Sequence, residues 1–112
     1  PGPEYLSPDI SWTLVEGFPV DGTFHGPREV FDAWWPQLMD KFSEWKPVAT
    51  QLLPSGDSVI GIGYYEGVAK GTAIRFRASF AHVWTLRDGK IAGMYHCADT
   101  LTLANALDSV AR

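Results

Sequence analysis

The alternation of apolar and polar positions divides the chain into five strands and two helices. Residues 9–16, Asp-Ile-Ser-Trp-Thr-Leu-Val-Glu, alternate well enough to predict a strand with Trp12, Leu14 and Glu16 on one face. Residues 17–26 are rich in Gly and Pro and read as a loop. The period then changes. Val30, Phe31, Trp34, Trp35, Leu38, Met39 and Phe42 recur at helical spacing and predict an amphipathic helix. Pro27 suits its first position, where no N–H is needed, and Pro36 predicts a kink or break after Trp35. Strands follow over 47–53, 58–68 and 73–86, punctuated by Pro54-Ser-Gly-Asp57 and by Gly71. Near the end, Asp99 or Thr100 caps a short helix holding Leu101, Leu103, Ala104 and Leu107. A strand, a helix and then a meander of strands define an α+β domain with a curved antiparallel sheet.

The sharpest local signal is Asp88-Gly89, between two apolar runs. A two-residue Asp-Gly loop favours a type I′ hairpin, because both residues must accept positive φ. Simple pairing across it sets Arg87 opposite Lys90, Val83 opposite Met94 and Ala81 opposite His96. Ser79, Ala81, Val83, Met94, His96 and Ala98 then share one face, small and apolar with a single imidazole. Phe80, His82, Trp84, Tyr95 and Cys97 share the other. The first face is expected to line a pocket, with Trp12 and Leu14 from the first strand beside Ala81, Val83, Met94 and Ala98. The second is expected to be the outer face.

Bulk properties narrow the class. At 112 residues, 46% hydrophobic and 13% aromatic with five tryptophans, the chain is one ordered domain, expected to span 1–112. A net charge of −4 without any Lys/Arg cluster argues against nucleic acid as a partner. Cys97 is alone, so no internal disulfide forms and a reducing cytoplasm is the expected compartment. No apolar run approaches the ~20 residues of a membrane span, and no signal-peptide pattern is visible. Pro1 stands where an initiator Met is expected. The three histidines lack metal-ligand spacing, and Gly61-Ile-Gly63 lacks the rest of a dinucleotide fingerprint, so neither metal nor cofactor is expected.

Ser7-Pro-Asp-Ile-Ser-Trp12, Gly22-Thr-Phe-His-Gly-Pro27 and, above all, His82-Val-Trp-Thr-Leu-Arg-Asp-Gly-Lys-Ile91 followed by Asp99-Thr100 carry a family resemblance. Along essentially its whole length the chain resembles the SnoaL-like branch of the nuclear transport factor 2-like superfamily, which includes ketosteroid isomerases, limonene epoxide hydrolases and polyketide cyclases. The resemblance implies a cone-shaped α+β barrel, a curved sheet wrapped around helices with a deep apolar cavity for a small molecule. Family members usually start with helices that close the cone's mouth. The first strand here begins near Asp9, so those helices are expected to be truncated, dispensed with or supplied by a partner chain.

The family's chemistry transfers only in fragments. Aligned through Gly89-Lys90, the isomerases' hydrogen-bonding acid corresponds to Ala81, which donates nothing, and their base falls near Leu14. The hydrolases' Asp–Arg–Asp set corresponds to Tyr65, Gly63 and His96. Three residues remain as catalytic candidates: His96 as acid or electrophile, Glu16 as a base activated by an apolar cavity, and Tyr65 to orient a carbonyl or hydroxyl. Two function classes stay open. One is a cofactor-free isomerase, cyclase or epoxide hydrolase-like enzyme acting on an apolar small molecule. The other is a non-catalytic hydrophobic ligand-binding or dimerisation module. A homodimer is expected through the face bearing Phe80, His82, Trp84 and Tyr95.

Overall fold

A computed structural model describes residues 3–108 of the chain. Its strands are β1 (Leu6–Leu14), β2 (Gly22–His25), β3 (Phe42–Ser55), β4 (Ser58–Ala69), β5 (Arg75–Arg87) and β6 (Lys90–Ala98). They form one six-stranded sheet in the order β2-β1-β6-β5-β4-β3. Every neighbouring pair is antiparallel except β1 and β6, which run parallel. The sheet is therefore mixed rather than wholly antiparallel, because β1 lies beside the last strand of the meander. Residues 17–26 are not all loop. Gly22–His25 pairs with the outer edge of β1, where Thr13 and Thr23 bring their hydroxyls within 3.1 Å.

The long helix, α1, spans residues 26–39 in three windings: an α-turn Gly26–Arg28, a π-helical segment Glu29–Trp34 and an α-helical segment Trp35–Met39. Pro36 accounts for the change. Its ring clashes with the carbonyl four residues earlier and it offers no N–H. The chain answers with a wider turn, in which the Trp35 N–H donates to the Val30 carbonyl five residues back. The expected kink is thus a π-segment within a continuous helical run. Val30, Trp34 and Leu38 are buried against the sheet, while Phe42 leaves the helical stripe to open β3. The short α2 (Thr100–Leu107) is capped as expected: Asp99 accepts the Thr102 N–H at 3.1 Å. It buries Leu103 and Ala106 at one end of the cone.

Curvature comes from β3 and β4. The register between them slips at Ser43 and at Thr50, and β3 rides unusually close to β4 beside those bulges. A Cβ on Gly63 would collide with the Val48 carbonyl, and one on Gly67 with the Glu44 carbonyl. Only glycine permits that approach. The whole concave row of β4 is small, Gly61, Gly63, Gly67 and Ala69, except for Tyr65. A hollow results, with one phenol standing in it.

The β5–β6 hairpin turns on Asp88 and Gly89, both at positive φ (54° and 76°). Arg87 pairs with Lys90 and Leu86 with Ile91, but Thr85 then pairs with Gly93. Ala92 is an extra residue, a β-bulge, and a slip of one residue exchanges the faces of everything beyond it relative to the partner strand. His82 lies opposite His96, Trp84 opposite Met94 and Val83 opposite Tyr95. This corrects the face assignment made from simple pairing. Phe80, His82 and Trp84 point into the cone, whereas Ala81 and Val83 lie on the convex side with Tyr95 and Cys97. The face expected to join two subunits is therefore not one surface. Among the described residues no helix is long and apolar enough to cross a membrane.

Candidate functional site

The cone encloses a cavity of about 590 Å³, within the ordinary range for a small-molecule site. All five tryptophans of the chain line it: Trp12 from β1, Trp34 and Trp35 from α1, Trp45 from β3 and Trp84 from β5. The π-winding helps, since Val30, Phe31, Trp34 and Trp35 all reach the cavity from successive turns. Leu52 and Trp35, 64% and 42% exposed, stand where the lining meets solvent. Among the described residues no Asp, Glu, Lys or Arg belongs to the lining.

Against this aromatic wall sits one pair of polar groups. Tyr65 Oη and His82 Nε2 are 2.6 Å apart, a short hydrogen bond joining β4 to β5. Stacking holds both rings in place. Tyr65 lies on Trp45 with centroids 4.4 Å apart, and His82 lies nearly parallel to Phe80 at 4.1 Å. Burial governs their charge states. It pushes the Tyr65 hydroxyl well above the usual phenol range, and it pushes His82 down to about 3, with a further contribution from neighbouring His96. Near neutral pH the pair is a neutral phenol beside a neutral imidazole, able to donate to or accept from an oxygen in the cavity.

His96 is not in the cavity lining. It is completely buried, stacked behind His82 at 5.5 Å between centroids and met by the Phe18 ring at 4.5 Å. Its Nδ1 accepts a long hydrogen bond (3.4 Å) from the Val15 N–H, which places the remaining proton on Nε2. Burial pushes its pKa down to about 4. Nε2 and Trp12 Nε1 are the buried side-chain polar atoms without a partner among the described residues.

The sequence-derived candidates thus separate. Tyr65, Trp12, Leu14 and Met94 stand in the cavity lining. Ala81 and Val83 do not, because the bulge at Ala92 turns them outward, and Ala98 packs against the core instead. Glu16 is exposed just beyond the end of β1, in a separate depression with Asp21 and Tyr95, and does not reach the cavity. His82, assigned by parity to the outer face, is the imidazole that meets the cavity. The missed signal is Ala92-Gly93, since a glycine inside a strand often marks a bulge. Among the described residues no group of three or more His, Cys, Asp or Glu side chains could hold a metal ion.

A curved sheet closed by helices around an apolar cavity defines the nuclear transport factor 2-like class of fold. Within it, the chain belongs to the SnoaL-like domain family, whose pattern matches residues 3–94. An NTF2-like protein of Burkholderia thailandensis is 32% identical, with a TM-score of 0.89 over 94% of this chain and 81% of that one. An NTF2-like protein of Burkholderia pseudomallei is 23% identical, with a TM-score of 0.85 over 93% and 80% of the two chains. TerC, co-crystallised with polyporic acid, is also 23% identical, with a TM-score of 0.83 over 92% and 80%. No curated protein matches the chain.

Proposed function

We propose that the protein takes an apolar, ring-bearing small molecule into the five-tryptophan cavity and performs acid–base chemistry at one of its oxygen functions, as an isomerase or cyclase of the SnoaL-like type would. The observation that carries this reading is the Tyr65–His82 hydrogen bond, among the described residues the one side-chain polar contact set in the aromatic lining. Tyr65 donates to the substrate oxygen and His82 exchanges a proton with the substrate. The fold relative TerC was crystallised with polyporic acid, which supports a small organic ligand in this architecture. Titration with 2-naphthol, followed by quenching of tryptophan fluorescence, tests the reading. Saturable quenching supports it; a flat titration with both 2-naphthol and naphthalene rejects it.

A second reading, a non-catalytic carrier of hydrophobic ligands, draws on the depressed basicity of both histidines and on the carboxylate-free lining. Native mass spectrometry of protein taken directly from its cells, followed by incubation with whatever small molecule co-purifies, separates the two. A transformed compound favours the enzyme, and an unchanged one favours the carrier.

A further inference from the structure

We propose that Gly61 and Trp84 form a second oxygen-binding point at the mouth of the cavity, where the Trp84 indole N–H donates to a carbonyl or ether oxygen of a ligand lying over Gly61. The inference rests on the cavity reading above and deepens it. It makes the ligand an apolar ring system with two oxygen functions, one at Tyr65 and His82 and an acceptor at the far end. Trp84 is then a specificity-determining residue rather than one more piece of aromatic wall.

The indoles around the cavity are not equivalent. Trp34 Nε1 already donates to the Val20 carbonyl at 3.0 Å. Trp12 Nε1 is fully enclosed, its ring in contact with those of Trp34 and Trp84. Trp84 Nε1 differs from both. Among the described residues it makes no hydrogen bond, and its neighbours do not seal it off. It borders the space over Gly61. A Cβ built on that glycine would meet two atoms beyond its chain neighbours within 4 Å, a Leu52 methyl at 3.5 Å and Trp84 Nε1 at 3.7 Å. The missing side chain leaves a notch with a methyl group on one side and a free N–H donor on the other. An oxygen seated there comes within hydrogen-bonding reach of the indole.

The notch lies on the same wall as the polar pair. Gly61 stands opposite His82 in the β4–β5 ladder. Trp84 is two residues beyond His82 on the same face, about 7 Å along the strand, an interval on the scale of a fused bicyclic ring. Chemistry restricts what the notch accepts. An indole N–H donates and accepts nothing, so the group it takes is an acceptor. Among the described residues the lining carries no cation, so that acceptor is neutral, a carbonyl or ether rather than a carboxylate. The Leu52 methyl suits the alkyl part of such a group. The carbon of a methoxy group or methyl ketone rests against it while the oxygen faces Trp84.

The test compares 6-methoxy-2-naphthol with 6-ethyl-2-naphthol, which has the same shape without the ether oxygen, by isothermal titration. Wild-type protein should bind the methoxy compound about fivefold more tightly. Trp84→Phe removes the N–H and keeps an aromatic ring. It should bring the ratio to one or below, while the preference for 2-naphthol over naphthalene, set at Tyr65, persists. Gly61→Ala fills the notch with a methyl group at ordinary contact distances and should abolish the preference for the ether in the same way. Circular dichroism checks that each variant is folded, and Gly61→Ala decides the matter if Trp84→Phe does not fold. Equal affinities in wild-type protein, or a ratio that survives in a folded variant, overturn the notch and leave the cavity reading standing. Absence of binding by every naphthol overturns both.

Discussion

His82 and His96 face each other across the β5–β6 ladder, ring centroids 5.5 Å apart, in a register that counts Ala92 as an extra residue. Deleting Ala92 would remove the extra residue and leave Gly93 opposite Thr85, Met94 opposite Trp84 and His96 opposite His82 in an unbroken ladder, with Met94 and His96 still on the concave side. Met94 then keeps the roughly 1.5–3 kcal/mol that its burial contributes. The shortened chain should therefore melt close to the wild-type temperature in circular dichroism and retain ligand-induced fluorescence quenching. A clear drop in melting temperature with lost quenching would show that this count does not set the faces.

The two imidazoles make stability depend on pH with a definite sign. Their values in the folded chain, about 3 for His82 and about 4 for His96, lie below the ordinary 6.5. As pH falls, the unfolded chain takes up protons first, so stability rises with pH through this window. Their contribution is complete above about pH 6.5 and is lost progressively down to the folded values. Thermal melts should show a lower midpoint at about pH 4.5 than at about pH 7, and the slope should flatten in the His82→Gln, His96→Gln double variant. The slope, rather than the absolute midpoint, is the readout, and an undiminished slope would refute the assignment.

Tyr65→Phe keeps the aromatic packing and removes the hydroxyl that a ligand oxygen would meet. Wild-type protein should bind 2-naphthol about tenfold more tightly than naphthalene, equivalent to ~1.4 kcal/mol. In the variant that ratio should approach one. The midpoint of unfolding should drop modestly as well, since His82 Nε2 loses its partner at a cost of about 1 kcal/mol. Isothermal titration with the two ligands measures the ratio directly.

Gly63→Ala should be severely destabilising, because its methyl would meet the Val48 carbonyl of a backbone that cannot retreat. Gly71→Ala is the matched control. It lies in the β4–β5 turn with no atom within 4 Å of a built Cβ, and should change stability by less than about 0.5 kcal/mol. Soluble yield and urea midpoints of the two variants separate a curvature requirement from a general intolerance of added methyl groups.

Much of this architecture is legible in local patterns. The helical stripe from Val30 to Leu38, the Asp88-Gly89 turn and the Asp99 cap all appear where short-range physics requires them. Trp12, Leu14, Tyr65 and Met94 stand in the cavity lining, Met94 opposite Trp84 rather than opposite Val83. What fails is anything that needs counting across a bulge. Strand parity carries no memory of an inserted residue, so one alanine was enough to exchange Ala81 and Val83 for His82 and Trp84. The error at Glu16 has a different origin. Alternation along β1 continues past Leu14 in the sequence, but the strand itself stops there, and beyond its end parity no longer aims a side chain. The parallel pairing of β1 with β6 depends on contacts between distant segments, to which local periodicity is blind.

Three glycines share the inner row of β4, yet they are not equally replaceable. Those at 63 and 67 are locked by neighbouring main chain, whereas a Cβ at Gly61 would rest at ordinary distances, 3.5 Å from a Leu52 methyl and 3.7 Å from the Trp84 indole nitrogen. Gly61 thus sets how much free space the cavity keeps between Leu52 and Trp84. A single methyl group there would trim the chamber beside its entrance while leaving the bend of the sheet untouched, so its dimensions can be tuned at one codon without renegotiating the scaffold.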